Sequence, residues 1–230
     1  MYAEFQREYL VRLSKRKRRM CMVEHVVLFK VKDGVAPSET DTMLKRIRSL
    51  ASLEHLLQPT VGPLLRIRTT TSFDFTLFYH ARFKSKHDLH AYATHPTHLA
   101  VIEANSPLVE NTMALDWVPE VPGGAVLPAG SALRVTFLKL KQDGGDGVKE
   151  EILGAIREIQ RELKEAIEVS CGENFSAGRA NGFSIASLEV FPGLSELEEA
   201  DSNEEIGLYE KNDKIAKHLE RVMVLYYVVP

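Results

Sequence analysis

The chain repeats itself with a period of about 110 residues, the length of a whole domain rather than of a solenoid unit. Phe29-Lys-Val-Lys-Asp-Gly34 is echoed by Leu138-Lys-Leu-Lys-Gln-Asp-Gly144, and Met113-Ala-Leu-Asp-Trp-Val-Pro119 by Met223-Val-Leu-Tyr-Tyr-Val-Val-Pro230. Whatever one half folds into, the other must be able to fold into as well. The first half reads as a strand over Glu24–Lys32, a helix from Ser38 to about Leu57 with Ser38 and Asp41 in capping-box spacing, and a strand over Thr60–Arg68 interrupted at Gly62-Pro63. A strand over Phe73–Phe83, a helix over Thr97–Asn111 and a short strand over Met113–Val118 complete it. The second half gives strands at Leu133–Lys141, Glu168–Ser176, Gly182–Phe191 and Val222–Val229, with helices over Lys149–Ile167 and Ser195–Leu219.

This is the order β-α-β-β-α-β twice, an α+β class built from two tandem ferredoxin-like domains. The expected division is a basic leader over 1–22, domain one over 23–119, a Pro/Gly linker over 120–131 and domain two over 132–230. A four-stranded sheet with helices on one side leaves its other face open. His25, Val27, Phe29 and Val31 on one strand, with Met113, Leu115 and Trp117 on another, are expected to form that open apolar face. Linking two copies makes their pairing intramolecular, so the faces should close on each other as a dimeric α/β barrel around a shared interior.

Composition excludes some partners. The net charge of −3 argues against nucleic acid, since phosphate binding wants a concentrated basic surface. No apolar run is long enough to span a membrane. Cys21 and Cys171 have no metal-ligand spacing, and no disulfide framework is expected. No cofactor or metal is expected, the weak exception being Mg²⁺ at the Asp33-Gly34 and Asp143-Gly144 turns. The cluster Lys15–Arg19 leaves nucleus, chloroplast and peroxisome open beside a default cytoplasmic location.

The stretch richest in chemistry is Tyr92-Ala-Thr-His95-Pro-Thr-His98. Pro96 disfavours helical dihedrals at His95 but suits the first position of a new helix, so Tyr92 should close one helix and His98 sit in the first turn of the next. Partial positive charge at a helix start lowers the pKa of a nearby imidazole, and a neutral imidazole near neutral pH suits a general base.

With His25 in Glu-His-Val-Val-Leu-Phe-Lys30, the Lys32-Asp-Gly34 turn and Asp116-Trp-Val-Pro119, this stretch resembles the stress-responsive A/B barrel (Dabb) family. In the second half, Gly172–Arg179 and Ser184–Gly193 are similar to plant proteins carrying two such domains. The resemblance implies a barrel of paired ferredoxin-like domains, a stress-response or plant-defence role, and a small hydrophobic or polyketide-like ligand. A relative in this family, olivetolic acid cyclase, closes a linear polyketide into a ring without metal or nucleotide. By motif position its functional residues fall on His98 as base, Tyr92 as hydrogen-bond donor and His25 as a further polar group. Phe29, Phe78 and Trp117 are the expected aromatic wall, flanked by Tyr79, His80 and Phe83. Arg134 stands where the second half would repeat His25, and no His-Pro-x-His follows it, so one site per chain is expected. Three functions are therefore carried forward: ligand binding without catalysis, cyclase-like acid–base chemistry, and cofactor-free monooxygenation by analogy of fold. Beyond the internal pairing, a homodimer is a further expectation.

Overall fold

The computed structural model of the chain describes residues 22–69, 73–120, 126–141, 145–203, 209 and 211–230. The leader up to residue 21, the Asp143-Gly144 turn and linker residues 121–125 lie outside the described residues. The first half runs β1 (Val23–Val31), α1 (Pro37–Ser49), β2 (Leu57–Pro63), β3 (Arg66–Thr69), β4 (Leu77–Phe83), α2 (Lys86–Ala93), α3 (Pro96–Asn105) and β5 (Val109–Trp117). The second runs β6 (Ala132–Leu140), α4 (Asp146–Glu162), β7 (Glu168–Glu173), β8 (Phe183–Phe191), α5 (Leu194–Asn203), α6 (Asp213–Ala216) and β9 (Leu219–Val228).

The first sheet has the order β2-β4-β1-β5 and the second β3-β9-β6-β8-β7, every pairing antiparallel. Each half is thus a ferredoxin-like sheet, and the extra strand of the second is lent by the first. Residues 60–68, expected as one interrupted strand, divide between the sheets. Pro63 has no N–H to continue β2, and from Leu65 onward the backbone bonds to β9, with Leu65 N donating to the Tyr226 carbonyl at 2.9 Å. On the opposite side, Trp117 bridges Asn174 and Phe175 N donates to the Asp116 carbonyl at 2.9 Å. The two sheets are stitched at both edges and enclose one interior.

Several boundaries shift for local reasons. Helix α1 begins at Pro37 with Ala36 as its cap, and Glu39, not Asp41, reaches back to accept from Ala36 N at 3.2 Å. It tightens into a 3₁₀ turn at Leu50–Ser52, which frees Leu57 for β2. Pro107 sits in a second such turn, so α3 ends at Asn105 and β5 starts at Val109. The region expected as one helix over 195–219 holds α5 to Asn203 and, after a break at Asn212, α6 from Asp213, capped by the Asn212 side chain; residues 204–208 and 210 lie outside the described residues.

The face assignment needs correcting. Antiparallel register sets Leu28 opposite Met113, Val26 opposite Leu115 and Glu24 opposite Trp117. Met113, Leu115 and Trp117 therefore share a face with the even residues of β1, and His25, Val27 and Phe29 point the other way. The even face turns inward: Val26, Leu28, Phe78, Met113, Leu115 and Trp117 pack with Leu133, Val135, Phe137, Leu188, Met223, Leu225 and Tyr227 of the second sheet. This interior is a filled apolar core. The odd face is covered by the helices of its own half, where Val23 and Val27 meet Met43, Leu44, Ile47, Leu89 and Tyr92.

One polar knot interrupts the interior. Glu24, fully buried, accepts from His80 Nε2 at 2.6 Å and from Arg82 Nε at 3.1 Å, and Arg82 also pairs with Glu168 at the start of β7. Burial opposes ionisation of Glu24, but His80 and Arg82 outweigh it and hold the carboxyl below its ordinary value. Nearby, Trp117 Nε1 donates to Ser170 Oγ at 3.3 Å. Its ring lies so close to Gly172 that a Cβ there would come within 2.9 Å of it. Glycine is what lets β7 approach β5.

Candidate functional site

A cavity of about 560 Å³ lies between the first sheet and its own helices. Val27, Phe29 and Ala114 form its floor, and Ile47, Leu50, Leu89, Val101 and Ile102 come down from the helical side. His25, Tyr79, Tyr92 and His98 converge on it, and Gly178, Arg179 and Asn181 of the second half close part of its rim.

The structure brings His25, Tyr92, His98 and Phe29 into one wall. Phe78 and Trp117 are not in it: both face the filled interior, because they share the even face of β1. His80 follows them and bonds Glu24, whereas Tyr79 and Phe83 stay with the site, their rings edge-on to His25 at 5.8 Å. The pocket expected inside the barrel is thus on the opposite side of the first sheet.

The Pro96 break acts as its dihedrals require. Pro96 is the first residue of α3, and His95 caps the helix by accepting from Thr97 N at 3.2 Å. His98 is left half-buried in the first turn, with its ring centroid 4.2 Å from that of Tyr92. Its Nδ1 donates to the Ala93 carbonyl, the last residue of α2, at 3.1 Å. That fixes the tautomer with Nε2 as the acceptor. Desolvation is the main cause that lowers the His98 pKa, aided by the charge of His25 and Arg179 and only partly offset by the Ala93 carbonyl. The Tyr92 hydroxyl lies 3.2 Å from that of Tyr79, and burial pushes its pKa up to about 12, so it stays a neutral donor.

Sequence reasoning missed the carboxylate behind His25. Asp116, fully buried on β5, is directly opposite His25 and accepts from its Nδ1. Ser176 Oγ and Arg179 bond the other carboxylate oxygen, Arg179 at 3.3 Å. Burial would raise the Asp116 pKa, but His25, Ser176 and Arg179 together bring it below its ordinary value. Asp116 had a signal, since it lies in the Asp-Trp-Val-Pro119 stretch, but its pairing with His25 follows only from register. Ser176 and Arg179, some 60 residues further on, lie in the Gly172–Arg179 stretch that carries the second-half resemblance, but nothing in it pointed to Asp116.

Asp33 is exposed and pairs with Lys30 at 3.3 Å. Among the described residues no three His, Cys, Asp or Glu side chains are grouped to hold a metal, and no helix is long and apolar enough to cross a membrane.

A profile of the stress-responsive A/B barrel domain matches residues 23–119. Two stress-response A/B barrel domain-containing proteins of Arabidopsis thaliana are 38% and 39% identical to this chain. Each alignment covers 91% of it, with 79% of the first relative and 97% of the second. Among solved structures, an anthrone oxidase-like protein superposes with a TM-score of 0.64 at 10% identity, covering 92% of this chain and 93% of its own. A candidate monooxygenase of Fusobacterium nucleatum gives 0.62 at 13% identity, covering 92% and 94%. At such identities these two share the fold alone.

Proposed function

The chain belongs to the stress-responsive A/B barrel family, and from that premise we propose that it binds a small, largely apolar metabolite in the first-half cavity. The observation that carries this reading is the cavity itself. About 560 Å³ of space is lined mostly by apolar surface, with the imidazoles of His25 and His98 and the phenols of Tyr79 and Tyr92 placed at one region of it. A site that only had to be filled would not hold these four polar groups beside an open volume.

The test uses 1-anilinonaphthalene-8-sulfonate, whose fluorescence rises on entering an apolar site. Saturable binding at one site per chain is expected, and Ala93→Phe, which projects a ring into the cavity from the end of α2, should abolish it. Binding that does not saturate, or that Ala93→Phe leaves intact, would sink the reading.

One geometric detail favours a second reading, cyclase-like acid–base chemistry. His98 is held in the tautomer that leaves Nε2 as an acceptor, beside a neutral Tyr92 hydroxyl. In that chemistry Nε2 takes a proton from a carbon between two carbonyls, and the phenol donates to the oxygen on which negative charge grows. Ring closure of a linear polyketide thioester is the assay. His98→Ala should lower its rate by roughly 10²–10⁴-fold while the protein stays folded, in line with the contribution of a general base. An unchanged rate rules the base role out.

A further inference from the structure

We propose that the second half of the chain supplies an anion subsite to the first-half cavity, with Arg179 reading a carboxylate on a ligand whose apolar body lies along β1 and β5. This rests on the cavity reading above and adds the ligand's head group. Arg179 sits in a loop tied to the end of β5. The Asn174 side chain accepts from Asp116 N and from Ser176 N, each at 3.0 Å, and donates to the Phe183 carbonyl at 3.2 Å. Beyond it, Asn181 and Gly182 take positive φ values of 50° and 85°, turning the chain sharply into β8. The arginine is therefore presented to the cavity by backbone that has little freedom to move away.

Its side chain is 54% exposed, and its contact with Asp116 is a single one at 3.3 Å. Asp116 is also bonded by His25 and Ser176, so it keeps two partners when the guanidinium turns to a ligand. A guanidinium has five N–H donors in a planar fork, which leaves several for a ligand and suits the two oxygens of a carboxylate. Away from this corner the wall carries the aliphatic side chains of Ile47, Leu50, Val101 and Ile102 with neutral polar ones at Asn105 and Thr112. Its one carboxylate, Glu110, lies six residues from Asp116 along the same strand, about 20 Å away at the strand rise. Charge in the cavity is thus polarised, with the Arg179 cation at one end and Glu110 at the other. An amphipathic monocarboxylate fits it better than a neutral molecule of the same body.

The experiment is titration calorimetry near neutral pH with two probes sharing one apolar body, 4-butylbenzoate and 4-butylbenzyl alcohol. Wild-type protein should bind the benzoate roughly tenfold or more tightly, the scale of one charge-assisted hydrogen-bonded pair. Arg179→Gln should erase that preference while leaving the affinity for the alcohol unchanged, and Arg179→Lys should restore only part of it, because an ammonium lacks the fork. A purely structural role would weaken both probes alike and lower the melting temperature, and that result overturns the inference. Equal binding of both probes by wild-type protein overturns it too, while the cavity reading stands. Binding of neither probe overturns both.

Discussion

The same register position on the first strand of each half holds opposite solutions. His25 on β1 stands across from Asp116 on β5, and Arg134 on β6 stands across from Tyr226 on β9. In the first half the imidazole and its carboxylate sit at the edge of open space. In the second, Arg134 reaches Glu189 at 3.4 Å and Asp201 at 3.3 Å. Asp201 also accepts from the Tyr226 hydroxyl at 3.0 Å and pairs with Arg66 and Arg68 at 2.9 and 3.2 Å. Those two arginines belong to β3, the strand lent by the first half. One copy therefore leaves its polar position beside an open cavity, and the other uses it to hold the two halves together. The exchange runs both ways, since Ser176 and Arg179 of the second half secure the site of the first.

The comparison breaks most sharply at Arg134. Its removal leaves Glu189, fully buried, with Gln160 but without a countercharge. Arg134→Met should cost about 3–5 kcal/mol, as for other buried pairs deprived of one partner. Urea unfolding measures it. Arg134→Met with Glu189→Leu should recover much of the loss, because no buried charge is then stranded. Neither variant should change probe binding in the first-half cavity, and a change there would mean that the two regions are not separable.

His25→Ala is the matching cut in the first half and should be milder. Asp116 keeps Ser176 and Arg179, so a loss of about 1.5–3 kcal/mol is expected, the scale of one hydrogen bond to a charged group. Here the larger change should be in binding. Should urea unfolding give as large a loss as for Arg134→Met, the contrast between a site and a brace would fail.

Acid sharpens the difference further. The folded His98 pKa lies below its ordinary 6.5, mainly through desolvation, so the unfolded chain takes up its proton first. Stability from this group is complete above about 6.5 and is lost as pH falls through the depressed folded value. Asp116, held below its ordinary 3.8, follows at lower pH: its contribution is present above about 3.8 and is lost as the carboxylate protonates through its lowered value. His98→Asn should flatten the first decline and leave the second. Thermal melts across this range read both, and an unaltered first decline would assign it elsewhere.

Much of the architecture could be read from the chain because local and long-range signals agree there. The repeat set the β-α-β-β-α-β order twice, and the alternation in Glu24–Lys32 separated two faces correctly. Alternation cannot say which face meets which layer, and that is why His25 was grouped with Met113 and Trp117. Register decides it, and register is a property of two strands, 91 residues apart for His25 and Asp116. The Pro96 break placed Tyr92 and His98 because proline acts on its immediate neighbours. Arg179 lay in the Gly172–Arg179 stretch, but its contact with Asp116 was hidden for the opposite reason: it exists only once the halves are paired. The crossing of β3 was half legible, since Gly62-Pro63 announced an interruption but not its destination.

The finest test compares two hydroxyls. Tyr226 donates to Asp201, a charged acceptor, whereas Tyr92 meets the neutral hydroxyl of Tyr79. Bonds to charged groups contribute about 1.5–3 kcal/mol and neutral ones about 0.5–1.5. Asp201 retains three arginines when Tyr226 becomes Phe, which puts that loss at the lower end. Tyr226→Phe should therefore exceed Tyr92→Phe by only about 1 kcal/mol in urea unfolding. Binding should reverse the order. Tyr92→Phe removes a donor from the cavity wall and should weaken a ligand that offers a carbonyl, while Tyr226→Phe, in the braced half, should leave it unchanged. If Tyr226→Phe weakens binding as much, the brace and the pocket are one coupled unit, and the division of labour between the halves would have to be given up.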